Sequence, residues 1–222
     1  MGRPGNVKTW FTSDLHIGHT LVAHHRAMEA GICAPWEAPE IDAFVTAWHD
    51  RTLAALWDGM IGANDLVWVL GDISAGGSRA QREALDWLAA RPGRKRLIAG
   101  NHDGCHPMHR DSHKWQPEYL RVFETVQSAG RIRVQGVNVL LSHFPYEADR
   151  GEPRYRQWRL PDQGELLLHG HTHSAKRANR HELHVGVDAW NLKPVAMQTI
   201  EQHVTEMTTH LPDHWTALKG TT

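Results

Sequence analysis

The chain contains 222 residues, of which 41% are hydrophobic, and its 24 basic residues nearly balance its 25 acidic residues. This composition excludes wholesale disorder and argues against bulk attraction to nucleic acid or to an anionic membrane. Two cysteines are too few for a disulfide scaffold, and no apolar stretch reaches the length of a membrane span, so we expect a single cytoplasmic domain over residues 1–222.

The first half of the chain alternates strand patterns with helical ones. The predicted elements are a strand over 7–12, a helix over 20–30, a loop over 31–39, a long helix from residue 40, a strand over 66–70, a helix over 78–90 and a strand over 97–99. The strands are short aliphatic runs bounded by turn residues, and the helices repeat apolar residues every three or four positions. This alternation predicts an α/β layered fold with ligands beyond the strand ends.

The second half of the chain carries weaker patterns. Residues 104–135 are polar and predict no regular element, and residues 146–163 predict a long surface loop. Strands are predicted over 137–142 and 166–168, and further strands over 184–187 and 195–200. From residue 201 onward the sequence gives no firm signal.

Four short segments place Asp, Asn or His just beyond an apolar run. They are Phe11-Thr12-Ser13-Asp14-Leu15-His16, Leu70-Gly71-Asp72, Gly100-Asn101-His102-Asp103 and His169-Gly170-His171-Thr172-His173. Loops at the ends of buried strands often carry catalytic residues, because the sheet holds them rigidly. The chain also contains 18 histidines, which points to metal or acid–base chemistry.

These segments, together with His143, supply the candidate metal ligands Asp14, His16, Asp72, Asn101, His143, His171 and His173. Asp72 can bridge two cations, because each carboxylate oxygen has lone pairs to spare. Seven ligands are too many for one catalytic ion, so they predict two ions that share a carboxylate, activate a bridging water and hydrolyse a phosphate ester. Ligands without thiolate favour hard or intermediate ions; manganese is expected, with iron, zinc, magnesium or nickel as alternatives.

In their order along the chain, these motifs resemble the calcineurin-like metallophosphoesterase superfamily, from about Val7 to His173. The resemblance implies a four-layer α/β fold in which a central β-sandwich is flanked by helices. It implies a first metal on Asp14, His16, Asp72 and His173, and a second metal on Asp72, Asn101, His143 and His171. It also implies that His102 is the general acid that protonates the leaving oxygen, with Asp103 orienting the His102 imidazole.

Two further features narrow the branch of the superfamily. Ile73-Ser74-Ala75 follows Gly71-Asp72 where phosphoprotein phosphatases carry Val-Asp-Arg-Gly, and residues 11–19 and 186–190 look like a small bacterial or phage branch. The small size leaves no room for large caps, so we expect a phosphodiesterase acting on a small phosphoester, cyclic nucleotides included, with no membrane or protein partner. The alternatives are a phosphomonoesterase on the same centre, a catalytically silent binding scaffold and a nuclease.

His19, Arg154 and Arg177 are the candidates for substrate contacts. His19 either touches the substrate phosphate or packs after the Gly18 turn. An arginine can hold a phosphate as a guanidinium fork, with a solvated charged loop as the alternative for Arg154. Of the other histidines, His169 is predicted to lie in the core or behind the site, and ten are predicted to lie on the surface, including His106 and His184.

Overall fold

The computed structural model describes residues 7–34, 40–147 and 154–209. Within these ranges the helices are α1 (Thr20–Glu29), α2 (Glu40–Met60), α3 (Ser78–Ala89), α4 (Ser112–Tyr119) and α5 (Met197–Thr209). The strands are β1 (Thr9–Thr12), β2 (Leu66–Val69), β3 (Arg94–Ile98), β4 (Thr125–Gln127), β5 (Ala129–Val134), β6 (Val137–Ser142), β7 (Leu166–His169), β8 (Ala178–Asn179), β9 (Glu182–His184) and β10 (Val195–Ala196). Parts of the two predicted loops, 35–39 and 148–153, and the segment from residue 210 onward lie outside the described residues.

The first sheet contains five strands in the order β10-β1-β2-β3-β4. The strands β1 to β4 are parallel, and β10 joins β1 as an antiparallel edge strand. The run Leu66–Val69 is almost entirely buried, as expected for a parallel strand that is covered on both faces. Because β1, β2 and β3 run in the same direction, the loops that follow them leave the sheet at the same edge.

The second sheet has the order β5-β6-β7-β9-β8, with β6, β7 and β9 parallel and an antiparallel strand at each side. The loops after its parallel strands also leave at one edge, and they carry His143 after β6 and residues 170–173 after β7. An isolated bridge between Ser13 and Gly186 joins this edge to the first sheet. The polar loops of both sheets therefore meet.

Two hydrophobic cores hold these layers together, and successive residues of a strand point into different cores. Trp68 of β2 packs into the core between the two sheets, together with fully buried Leu141 of β6. Val67 of the same strand packs into the core between the first sheet and the helices, with buried Trp57 of α2 and Leu88 of α3. The predicted α/β sandwich of two sheets flanked by helices is confirmed.

Most predicted elements of the first half are confirmed, with ends that move by one or two residues. The predicted strand over 97–99 begins earlier, at Arg94, and the strand predicted over 137–142 has the observed bounds. Among the described residues, no helix is both long and apolar enough to cross a membrane.

The prediction that residues 104–135 hold no regular element is wrong, because α4, β4 and β5 lie there. Trp115 and Tyr119 of α4 lie four residues apart, and both pack on the core between the first sheet and the helices, as does Phe123 beyond the end of the helix. This spacing is the helical signal of the segment. It is a weak signal because α4 has only eight residues and contains Pro117.

The strand predicted over 195–200 is wrong beyond Ala196. Val195 and Ala196 pair with β1, and the chain then enters α5. Ile200 and Val204 are both buried and lie four positions apart, which is the period of a helix and not of a strand. The strand predicted over 184–187 is displaced, since β9 ends at His184 and a short 3₁₀ turn begins at Val187.

Candidate metal centre

Two groups of side chains that could hold metal ions lie where the loops of the two sheets meet. The first cluster contains Asp14, His16 and His173, and the second cluster contains Asp72, His143 and His171. Within each cluster, one candidate ligand atom from each residue lies within 4.8 Å of the others. Each cluster combines residues from a loop of the first sheet with residues from a loop of the second sheet.

Asp72 connects the two clusters. Its Oδ2 lies 3.3 Å from His143 Nε2 and 3.8 Å from His16 Nε2. Asn101, the remaining predicted ligand, brings its Oδ1 to 3.2 Å from the same nitrogen of His143. The structure therefore brings all seven predicted ligands together, with one carboxylate between the clusters.

The loops that carry these side chains have unusual backbone conformations. Five of the seven residues have φ angles between +47° and +72°: Asp14, His16, Asp72, His171 and His173. Residues other than glycine rarely adopt this left-handed region, and the strain is found mainly where a functional site requires it. The backbone turns sharply at these positions, which lets short loops gather several polar side chains.

Burial and opposite charge set the protonation states of the two clusters. Burial acts to raise the pKa of Asp72, but the His143 and His16 rings outweigh it and lower that pKa to about 2. Burial lowers the pKa of His16 to about 3, so this ring is neutral at pH 7. Burial also acts to lower the pKa of His143, but the carboxylates of Asp72 and Asp14 outweigh it and raise that pKa to about 9. A cation that binds at the second cluster therefore competes with a proton for the His143 ring.

The donor atoms fit a pair of divalent cations. Both ring nitrogens of His16 are buried and have no hydrogen-bond partner in the part of the chain that the structure describes. Buried polar atoms in proteins are nearly always paired, so these nitrogens indicate a ligand. Carboxylate, amide and imidazole donors without a thiolate suit manganese, iron, zinc or magnesium.

Comparison with known proteins agrees with this geometry. The sequence profile of the calcineurin-like phosphoesterase family matches residues 7–175. The chain belongs to this family. The predicted superfamily is therefore confirmed, and the family together with the two clusters supports a metal-dependent phosphoesterase with a dinuclear metal centre.

Relatives of this calcineurin-like phosphoesterase occur in mycobacteriophages. The Gene 66 protein of Mycobacterium phage L5 is 50% identical over 194 residues, which cover 82% of this chain and 87% of the phage protein. The Gene 66 protein of Mycobacterium phage D29 is 50% identical over 192 residues, which cover 82% of this chain and 88% of that protein. Both relatives agree with the predicted bacterial or phage branch.

A solved structure shares the fold. The crystal structure of the protein of unknown function AQ665 from Aquifex aeolicus matches with a TM-score of 0.60 and 21% sequence identity. The match covers 89% of this chain and 100% of that chain.

His102, the predicted general acid, lies beside both clusters. Its backbone N–H donates to Asp72 Oδ1 at 2.8 Å, and its ring meets the His16 ring edge-on, with centroids 5.4 Å apart. Its Nδ1 lies 3.1 Å from the Ala75 carbonyl oxygen. A hydrogen bond from Nδ1–H to this carbonyl leaves Nε2 as the atom that gains and loses a proton. The side chain is partly exposed, so a substrate can reach it.

The prediction that Asp103 orients the His102 imidazole is wrong. The Asp103 carboxylate accepts the backbone N–H groups of Asp72, Ile73 and Gly100 at distances from 2.8 to 3.1 Å. Burial, followed by the nearby Asp72 charge, raises the pKa of Asp103 to about 6. The Asp103 carboxylate thus connects the loop after β2 to the loop after β3. The ring of the neighbouring His102 contacts the Ala75 carbonyl oxygen instead.

Two residues that the sequence analysis did not identify as part of the site support the first cluster. His173 Nδ1 donates to Asp188 Oδ2 at 3.1 Å, which leaves the other ring nitrogen of His173 for a metal. Arg26 of α1 donates to both oxygens of the same carboxylate, at 2.7 and 2.8 Å, and its Nη2 also donates to the Asp14 backbone oxygen. Burial acts to raise the pKa of Asp188, but His173 and Arg26 outweigh it and hold it well below the ordinary value.

The structure also places the other histidines that the sequence analysis discussed. His19 Nδ1 accepts the backbone N–H of Val22 at 3.1 Å, so this ring caps α1, and its centroid lies 5.4 Å from that of His16. His169 is buried, as predicted, but His106 and His184 are also buried, which contradicts their predicted surface location. Periodicity did not place these two rings because they lie at or beyond the ends of regular elements.

Two cavities open onto the metal centre. The His171 cavity has a volume of about 740 Å³, and its lining includes His171, His173 and two of the three predicted substrate contacts, Arg154 and Arg177. The His102 cavity has a volume of about 290 Å³, and its lining includes Asn101, His102, Trp115 and the glycines before α3. The centre is therefore reached from the side of the predicted general acid and from the side of the second sheet.

Proposed function

We propose that this calcineurin-like phosphoesterase is a phosphodiesterase that acts on small diesters, cyclic nucleotides included, with manganese as the expected ion. The observation that carries the proposal is the pair of cavities at the centre, one containing His102 and the other containing His171 and His173. A phosphodiester has two organic substituents on phosphorus and needs room for both, whereas a monoester has one. Volumes of this size are typical of small-molecule sites.

The residues that would hold the two ions are Asp14, His16, Asp72 and His173 for one, and Asp72, Asn101, His143 and His171 for the other. Two such ions supply Lewis acidity and lower the pKa of water. The chain itself orients the imidazoles, because the Leu70 carbonyl accepts from His143 Nδ1 at 2.7 Å and Asp188 accepts from His173 Nδ1. These contacts fix which ring nitrogen faces the cluster.

His102 would supply the proton that the departing oxygen needs. The Ala75 carbonyl holds Nδ1, so the proton leaves from Nε2. Because His102 lines the smaller cavity, the departing group would occupy that cavity and the retained group would occupy the larger one. Water adds to phosphorus, the bond from phosphorus to the departing oxygen breaks, and the retained substituent stays on the product as a monoester.

Hydrolysis of bis-p-nitrophenyl phosphate and p-nitrophenyl phosphate tests the proposal, on protein that is stripped of metal and reloaded with Mn²⁺. We expect turnover only after reloading, and faster turnover of the diester. Preference for the monoester would assign a phosphomonoesterase instead. No turnover of either ester, with two metals bound per chain, would contradict the proposed function and favour a binding scaffold.

A further inference from the structure

The larger of the two cavities is lined by cations next to the metal centre. Arg154, Lys176 and Arg177 line the His171 cavity, and the same lining reaches His171 and His173 of the two clusters. The three cationic side chains are exposed to solvent. They therefore surround the space into which a substituent of the substrate phosphorus would extend.

The carboxylates of this cavity do not neutralise these cations. Glu147 pairs with Arg180, whose Nη1 lies 3.0 Å from Glu147 Oε1. Glu182 is buried and accepts the Tyr146 backbone N–H, and burial raises its pKa. In the described ranges of the chain, no carboxylate forms an ion pair with Arg154, Lys176 or Arg177. Unpaired cations in a cavity favour an anionic ligand.

One of these cations is held in place by neutral contacts. The Arg177 guanidinium lies over the Trp190 ring, with its carbon 4.1 Å from the ring centroid, and its Nε donates to the Ala189 backbone oxygen at 3.0 Å. A guanidinium that is positioned before the ligand arrives loses little freedom on binding, which favours two-pronged recognition of a phosphate. The Lys176 ammonium donates to an amide oxygen, that of Asn179, at 3.1 Å.

A buried side chain in the same cavity also lacks a partner. His184 is 1% exposed and lines the His171 cavity. Neither of its ring nitrogens has a hydrogen-bond partner within the described parts of the chain. A buried imidazole without partners is unusual unless water or a ligand completes its hydrogen bonds. The nearest carboxylate is that of Asp14, whose Oδ2 lies 3.8 Å from His184 Nε2, so this ring connects the cavity to the first cluster.

The smaller cavity has a different character. Asp111 is the carboxylate in its lining, and Lys114 Nζ lies 3.0 Å from Asp111 Oδ1. The rest of that lining is formed by neutral residues and by the histidines His102 and His109. The His102 cavity thus suits an uncharged departing group, whereas the His171 cavity suits a charged retained group.

From this difference we infer the substrate class: a phosphodiester whose retained alcohol carries a second phosphate group, bound by Arg154, Lys176 and Arg177. The inference rests on the proposed phosphodiesterase function, and it adds the chemical nature of the alcohol that stays bonded to phosphorus. A cyclic nucleotide, which the proposed function includes, has a single phosphate and should therefore be a poorer substrate than a diester with the second phosphate. The reaction is still hydrolysis, in which the second phosphate is bound and does not react.

Two chromogenic diesters that differ only in the second phosphate test this inference. They are the p-nitrophenyl ester of thymidine 5′-phosphate and the same ester with an additional 3′-phosphate. Both release p-nitrophenolate and both retain thymidine, so the ratio of their kcat/KM values isolates the second phosphate. We expect the bisphosphorylated ester to be preferred roughly 10- to 100-fold at low ionic strength, the range of a few charge-assisted hydrogen bonds.

Variants locate the origin of that preference. In Arg177→Gln and in Lys176→Gln the ratio of the two kcat/KM values should fall several-fold, with most of the loss in KM. Arg133→Gln is the matched control, because it removes an exposed positive charge that contacts the Gly136 carbonyl oxygen and does not line the cavity. It should leave the ratio unchanged.

The outcomes separate this inference from the proposed function. Equal kcat/KM for the two thymidine esters would overturn the inference and leave the phosphodiesterase function intact. A preference that persists in both cavity variants, or that Arg133→Gln abolishes equally, would also overturn it. Turnover of bis-p-nitrophenyl phosphate with no turnover of either thymidine ester would exclude this substrate class. No turnover of any diester would overturn the proposed function itself.

Discussion

The two clusters of the metal centre are supported in different ways. In the second cluster, His143 Nδ1 donates to the backbone carbonyl of Leu70 at 2.7 Å. In the first cluster, His173 Nδ1 is held by the Asp188 carboxylate, which Arg26 in turn holds from a position 162 residues away in the sequence. The His143 ring therefore depends on the backbone at a strand end, and the His173 ring depends on side chains that are far apart in the chain.

This difference determines which substitutions each cluster tolerates. A backbone carbonyl is present whatever side chain the residue carries, whereas a carboxylate and its arginine are each lost through one mutation. Close packing does not distinguish the clusters, because a methyl group on Gly100 would collide with Asp72 and one on Gly170 would collide with Asp14. We therefore expect the orientation of the ligands, and not the packing around them, to make the first cluster more sensitive to substitution.

The largest effect is expected where the clusters join. Asp72 Oδ2 faces a ring nitrogen from each cluster, so Asp72→Ala removes a proposed ligand from both. We expect both metals to be lost, together with Mn²⁺-dependent turnover, when metal content is measured by atomic emission after gel filtration. The exposed Asp86 of α3 supplies a control, and Asp86→Ala should keep both metals. Two metals per chain in Asp72→Ala would contradict the bridging role.

A smaller effect separates chemistry from metal binding. His102 belongs to neither cluster, so His102→Ala should keep both metals. Turnover of an alkyl diester should fall about 10²- to 10⁴-fold, the usual contribution of a general acid. A bis-aryl diester should lose much less, because p-nitrophenolate leaves without a proton. Equal losses on the two substrates would rule out the general-acid role, and His113→Ala, at an exposed position of α4, should change neither rate.

The sequence predicted the parts of the fold that follow one simple period. The strand over 137–142 has the observed bounds because its residues alternate between buried and half-buried positions, which is the period of a strand. By contrast, α4 is short and contains Pro117, and β10 has only two residues before Met197 begins a helix. A short element that passes directly into another gives no complete period, so tertiary packing decides its conformation.

The candidate ligands were predictable, but their supporting partners were not. Asp14 and Asp72 directly follow buried strands, and parallel strands release their loops at one edge. Which group each ligand contacts depends on the folded geometry, and so Ala75 holds the His102 ring where Asp103 was expected. Arg26 carries no signal in the sequence, since a buried arginine in a helix has the same pattern as a solvated one.

The dependence of the first cluster on side chains predicts a selective loss of one metal. Asp188→Asn keeps the shape of the residue that holds His173 but removes the charge that pairs with Arg26. Affinity for one Mn²⁺ should fall about 10- to 100-fold, the usual effect of a residue behind a metal ligand, while the other affinity is unchanged. Calorimetric titration of the metal-free protein would resolve two separate binding steps.

The matched control for this variant is Asp162→Asn. Asp162 accepts a hydrogen bond from His181 at 2.8 Å in the same way, but the pair lies outside both clusters. The control should retain both affinities. If Asp188→Asn weakened both ions equally, or neither, the clusters would not differ in the way that their contacts indicate.

The smallest effect is expected in the second cluster, where the supporting group is backbone. Leu70 provides the carbonyl for His143, while its own side chain is fully buried in the core between the sheets. Leu70→Val removes one methylene and keeps the carbonyl, so the free energy of unfolding should fall by about 1 kcal/mol. This loss corresponds to a decrease in Tm of about 2–4 °C for a chain of this length. Both Mn²⁺ affinities should stay within roughly 2-fold, since packing and metal binding are then independent. A tenfold loss of affinity at the second cluster, with so small a loss of stability, would mean that its ligands also depend on the side chains around them, as those of the first cluster do.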